Sequence, residues 1–137
     1  MIIKLDLQSE TPIYSQLMNQ IIEGIARGEL KPGEALPSVR SLASDIGINL
    51  HTVNKAYNLL KQEGYIQIHR KKGVVINDIM PGLTELYVER LQEQIKPLVA
   101  ESICRGMNEE QLSSIIRTLV KQVKTPQQQD NSTNAQH

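Results

Sequence analysis

Two helical repeats, separated only by Gly47, Ile48 and Asn49, constrain this chain more than any other feature in it. Val39, Leu42, Ala43 and Ile46 fall at i, i+3, i+4 and i+7, which puts four apolar side chains on one helix face. Val53, Ala56, Tyr57 and Leu60 repeat the same spacing. Ser38 is the expected N-cap of the first helix, and Pro37 keeps the chain before it extended. Gly47 suits the left-handed position that stops that helix, Asn49 can cap the next, and Gly64 ends it. So short a link forces the two inner faces together at a large angle.

The outer face of the second helix carries the chemistry. His51, Asn54, Lys55, Asn58 and Gln62 share it, and none is apolar or acidic. Solvated helix faces ordinarily mix signs in i, i+4 pairs, and this one does not. Asn and Gln amides match adenine edges, and lysine reaches guanine or a phosphate. The helix start at Asn49 to Thr52 offers free N–H groups and a positive dipole end to phosphate. A hairpin follows. Tyr65 to His69 alternates as a strand, Arg70-Lys71-Lys72-Gly73 is a turn with three adjacent cations, and Val74 to Ile76 returns. Cations crowded on a turn repel one another, a cost that a phosphate backbone removes. Together these elements outline a winged helix-turn-helix, a module that sets one helix in a DNA groove.

Charge distribution supports that reading better than total charge. The chain balances 15 basic against 15 acidic residues. Residues 40–76 hold six basic and two acidic side chains, a local +4 that the rest of the chain offsets. A basic face on a neutral protein is a local footprint, not the uniform charge of a wholly electrostatic DNA binder.

The run LPSVRSLASDIGINLHTVNKAYNLLKQEGYI resembles the GntR family of bacterial transcription regulators, whose pattern is L-P-S-x-R-x-L-A, a turn, T-V-x-x-A-Y/L-x-x-L and E-G-Y/L-I. The resemblance covers about residues 10–77, with the motif elements at fixed spacing. Asn54-Lys55-Ala56-Tyr57 and the short C-terminal part are similar to the YtrA-like subfamily. By position, the resemblance implies DNA contacts at Arg40, at Asn49, Leu50, His51 and Thr52, at Asn54 or Lys55, and at Arg70, Lys71 and Lys72 of the wing. Leu50 stands where many members carry Arg or Pro, and it suits a thymine methyl. The wing reads R-K-K-G-V-V where the family usually has G-x-G-T/S-F. The subfamily resemblance also implies control of a nearby operon, often one encoding a transporter.

Residues 2–7 alternate and are expected to form a short strand or arm. Thr11-Pro12 should start a helix with proline at its first position, carrying Ile13, Leu17, Ile21 and Ile25 to about Arg27. A turn follows at Lys31-Pro32-Gly33. A unit of about 70 residues buries only ~60% of its unfolded surface, so it needs support from the rest of the chain. Leu83, Leu86, Tyr87, Leu91, Ile95, Leu98, Val99 and Ile103 form one further apolar stripe, with Pro97 expected to kink that helix and Gly106 to end it. Asn108 to Gln111 reads as a capping box, and Leu112, Ile115, Ile116, Leu119, Val120 and Val123 form a second stripe. Two such stripes leave apolar edges if they meet only each other, so a partner subunit is expected across Leu91, Ile95, Leu98, Leu112, Ile115, Ile116 and Leu119.

The expected fold is mainly α with a small β-wing (α+β). Residues 1–78 form the winged helix-turn-helix, 79–124 a helical dimerisation region, and 125–137 a disordered tail poor in apolar residues. The expected function is sequence-specific regulation, most simply repression, by a homodimer on an inverted-repeat DNA operator. The rivals are a winged helix that serves only as a protein-interaction module, and a non-specific DNA-binding protein. Enzyme chemistry finds no support. Cys104 is the sole cysteine, read as a buried structural thiol, and His51, His69 and His137 lack metal-ligand spacing. No catalytic residue, metal or cofactor is expected. A single cysteine forms no internal disulfide and fits a reducing cytoplasm. The start MIIKLDL lacks a signal-peptide pattern, and no apolar run approaches the ~20 residues that span a membrane. The region after the wing is too short for a full ligand-binding fold but leaves room for a small-molecule effector pocket at the dimer interface.

Overall fold

The computed structural model describes residues 3–124. Its elements run α1 (Ile13–Ala26), α2 (Val39–Ile46), α3 (Leu50–Gln62), β1 (Ile66–His69), β2 (Gly73–Ile76), α4 (Glu85–Cys104) and α5 (Glu109–Lys124). The fold is therefore α+β: three N-terminal helices, a β-hairpin wing and a C-terminal helical pair.

The core forms where the two short helices meet α1. Leu17 and Ile21 of α1, Leu42 and Ala43 of α2, and Val53, Ala56, Tyr57 and Leu60 of α3 are buried together, with Ile66 and Ile76 closing the wing side. These are the positions that 3.6-residue periodicity puts on inner faces. The caps act as the sequence predicts. Ser38 Oγ accepts from the Ser41 N–H at 3.1 Å, and Asn49 Oδ1 accepts from the His51 N–H at 2.8 Å. Gly47 takes φ 69°, ψ 34°, the left-handed geometry that costs a β-carbon most. Pro12 corrects the sequence reading by one position. It is the N-cap, with a non-helical ψ of 147°, and α1 begins at Ile13.

Tyr57 ties α3 to the segment before α2, because its buried ring sends the hydroxyl to the Pro37 carbonyl at 2.8 Å. Burial pushes its pKa up to about 12 from the ordinary 10.0. The neutral phenol is therefore favoured in the folded state, and the stability it contributes is present below pH 10 and lost as pH rises toward 12. Tyr57→Phe should be less stable than the unsubstituted protein near neutrality by about 1 kcal/mol. That gap should shrink between pH 10 and 12 in denaturant titrations.

The wing has more strand than its hairpin. β1 and β2 pair antiparallel with Ile66 opposite Ile76 and His69 opposite Gly73. Ala35 bridges to Val75, and the Leu36 N–H donates to the Val74 carbonyl at 2.8 Å. The chain leaving the Lys31-Pro32-Gly33 turn thus adds a short third edge, which the sequence reading missed. Ile68 shares the sequence alternation of Ile66 but is 52% exposed, because the hairpin extends beyond the core.

Residues 3–6 form an extended arm rather than a strand in a sheet. Two glutamines one turn apart on α1 supply the pairing that a strand would. The Asp6 N–H donates to Gln16 Oε1 at 2.8 Å, and Gln16 Nε2 donates to the Asp6 carbonyl at 2.9 Å. Gln20 makes the same two-way exchange with Lys4.

At the other end, α4 continues through Pro97, and Gly106 at φ 97° turns the chain into α5. Asn108 and Gln111 exchange backbone-to-side-chain bonds of 2.9 Å each, the expected capping box. α5 touches α1, but no residue of α4 or α5 is buried. Cys104 corrects another expectation: it is exposed, because nothing among the described residues packs over that end of α4.

Candidate nucleic-acid interface

α3 is held by its apolar face, so its outer face is left free. Leu50, His51, Asn54, Lys55, Asn58 and Gln62 are exposed and Thr52 is half-buried. The first turn of α3 carries no acidic residue, which keeps its positive dipole end open to an anion. Asn49 is exposed, but its carboxamide oxygen is engaged in capping, so its amide N–H₂ is the group left to face a ligand.

Arg40 lies exposed in the first turn of α2. Arg70, Lys71 and Lys72 occupy the turn between β1 and β2, all exposed, and the packing of β1 on α3 sets the wing beside the helix. None of these four cations, nor Lys55, has a carboxylate partner among the described residues. Lys55 stands apart from the other polar residues on its helix, because its ammonium lies 3.9 Å from the centre of the Tyr14 ring on α1. Tyr14 did not emerge from the sequence reading. Its only local signal is its place after Pro12 at the start of a helix.

The residues read as dimerisation positions lie on α4 and α5. Leu91, Leu98, Ile115, Ile116 and Leu119 are exposed, and Ile95 and Leu112 are half-buried. With Leu86, Tyr87, Val88, Ile103 and Val120, these exposed side chains keep between 38% and 62% of their surface open, an apolar band running over both helices. Among the described residues no three His, Cys, Asp or Glu side chains gather as a metal site. No described helix is long and apolar enough to cross a membrane.

Residues 13–76 match the family model for bacterial regulatory proteins, gntR family. The HTH-type transcriptional repressor YtrA of Bacillus subtilis is 37% identical over 129 residues, covering 93% of this chain and 99% of its own. YtrA from Sulfolobus acidocaldarius, a GntR-family transcription factor of known structure, is 49% identical with a TM-score of 0.60, covering 73% of this chain and 99% of that one. A transcriptional antiterminator from Listeria monocytogenes EGD-e superposes with a TM-score of 0.84 at 26% identity, over 90% of this chain and 93% of that one. The family model ends with the wing, whereas each of the three relatives covers more of the chain than the residues up to Ile76, so those likenesses extend past the wing toward the C-terminal helical region.

Proposed function

The chain belongs to the GntR family and is a DNA-binding transcription regulator, and from that premise we propose that it is a repressor of the YtrA-like kind, acting as a homodimer on an inverted-repeat operator. The observation that carries the reading is the pairing of two unspent surfaces: an acid-free α3 face flanked by uncompensated cations, and an apolar band on α4 and α5. The first is suited to duplex DNA, the second to another copy of the chain.

In this reading α3 enters the major groove. His51 and Asn54 face base edges, Leu50 offers an apolar contact to a thymine methyl, and the exposed N-terminal turn meets phosphate. Arg40 and the wing residues Arg70, Lys71 and Lys72 bind backbone on either side. One helix reads few base pairs. Two copies related by a two-fold axis read half-sites about one helical turn apart, which supplies the specificity a promoter requires. Bound there, the dimer would block polymerase. The B. subtilis relative is named a repressor, which supports that sign of control.

The wing gives one direct test. Lys71→Ala should weaken binding to every sequence alike and reduce the salt slope of log K by about one for each bound protomer, about two for the dimer, since each neutralised phosphate contributes about −0.9. A salt titration on specific and random duplexes reads both quantities. The repressor reading itself is tested with a reporter placed under a promoter that contains the bound sequence. Expression should rise when the gene is deleted and fall when it is restored. A fall on deletion would make the protein an activator.

A further inference from the structure

The contact between α1 and α3 gives Lys55 a role different from that of its neighbours. Successive residues on a helix are roughly 100° apart, so Asn54 and Lys55 lie on opposite flanks of the line through His51 and Asn58. On the Lys55 flank the aromatic ring of Tyr14 comes up from α1, and the ammonium sits over it at 3.9 Å. We propose that Tyr14 is a positioning residue that holds Lys55 on a backbone phosphate at the margin of the groove, making Lys55 a sequence-independent contact while Asn54 reads bases.

The physical argument has three parts. A free lysine has a long stem and loses considerable rotamer entropy when it is fixed on a ligand. The ring holds the head group before DNA arrives, so less of that cost falls on binding. A carboxylate could also have held the lysine, but it would have cancelled the charge. An aromatic face attracts the cation through its quadrupole and leaves the full charge for phosphate. Lys55 has no acidic partner among the described residues, so that charge is not otherwise spent. Finally, the ring belongs to α1, which packs directly on α3, so the ammonium is tied to the scaffold flanking the reading face.

This inference rests on the DNA-binding reading above, and its test separates the two. Full-length protein is titrated onto a fluorescent duplex of mixed random sequence at several salt concentrations. Tyr14→Phe keeps the ring and should bind as the unsubstituted protein does. Tyr14→Leu should bind about two- to fivefold more weakly and shift the salt slope toward that of Lys55→Ala. In a Lys55→Ala background, Tyr14→Leu should change nothing further. Thermal melts of each variant show whether the fold is kept, and the Lys55→Ala background removes any effect of Tyr14 on packing alone. Equal losses from Tyr14→Leu with and without Lys55, or no loss in either, would overturn the proposal. If Lys55→Ala weakens binding to a selected site but leaves random DNA and the salt slope unchanged, Lys55 reads bases and the proposal fails. If the unsubstituted protein does not bind duplex, both the DNA-binding reading and this inference fall.

Discussion

Ile116→Glu will convert the proposed dimer to monomers in sedimentation velocity, and operator affinity will fall by about 10²–10⁴-fold, the gain that tethering two binding modules ordinarily gives. Ile116 is 53% exposed in the protomer and lies on the α5 face with Leu112, Ile115, Leu119 and Val120. Full burial of such a side chain stabilises by roughly 1.5–3 kcal/mol, and covering the half of Ile116 still open contributes about half of that from each copy of a symmetric interface. A glutamate there removes that gain twice and would place an unpaired charge in an apolar contact. The winged domain should be spared, because none of its buried residues lies on α5. Its thermal transition and its weak binding to random DNA should persist. Leu112→Glu should act in the same direction, although Leu112 is already half-buried in the protomer and its loss touches local packing as well. A dimer that survives both substitutions would place the interface elsewhere.

His51→Ala and Asn54→Ala are expected to cost about 1–3 kcal/mol each at the cognate site, a loss of roughly five- to 150-fold, with little change on random duplex. Both residues are exposed on the outer face of α3, and the side chain of neither has a hydrogen-bond partner among the described residues. An amide or imidazole in that state contributes nothing to the fold, so its removal should leave stability unchanged within about 0.5 kcal/mol. Competition titrations with single-base variants of the bound site measure the effect. Discrimination should relax at one or two base pairs for each substitution. Equal loss on cognate and random DNA would show that the residue touches phosphate instead.

The contrast with Lys55 and Lys71 follows from chemistry rather than position alone. Amide and imidazole groups carry directional donors and acceptors that can match a base edge. An ammonium is a compact charge with rotatable donors, well suited to phosphate. The same surface can therefore separate reading from holding, with the first expressed as specificity and the second as salt dependence.

The helix-turn-helix was legible because its information is local. Four apolar positions per helix, the Ser38 and Asn49 caps and the Gly47 stop all lie within a few residues of what they determine. The wing strands and the Asn108–Gln111 box were legible for the same reason. What escaped depends on groups distant in the chain. The bridge of Ala35 to Val75 and the exchange between Gln20 and Lys4 join segments that no periodicity links. The stacking of Lys55 on Tyr14 depends on how α1 crosses α3. Ile68 and Cys104 show the opposite limit: each is a residue type that is commonly buried, and each is exposed because none of the described residues covers it. The tail at 125–137, expected to be disordered, lies outside the described residues.

Selection of bound sequences from random duplex DNA, with affinity then measured at two salt concentrations, tests the central claim most directly. An inverted repeat with half-sites about one helical turn apart is the predicted result. It would tie the free face of α3 to base reading and the apolar band of α4 and α5 to pairing. No enriched sequence, with binding that vanishes at modest salt, would contradict the claim and leave a winged helix that works through protein partners.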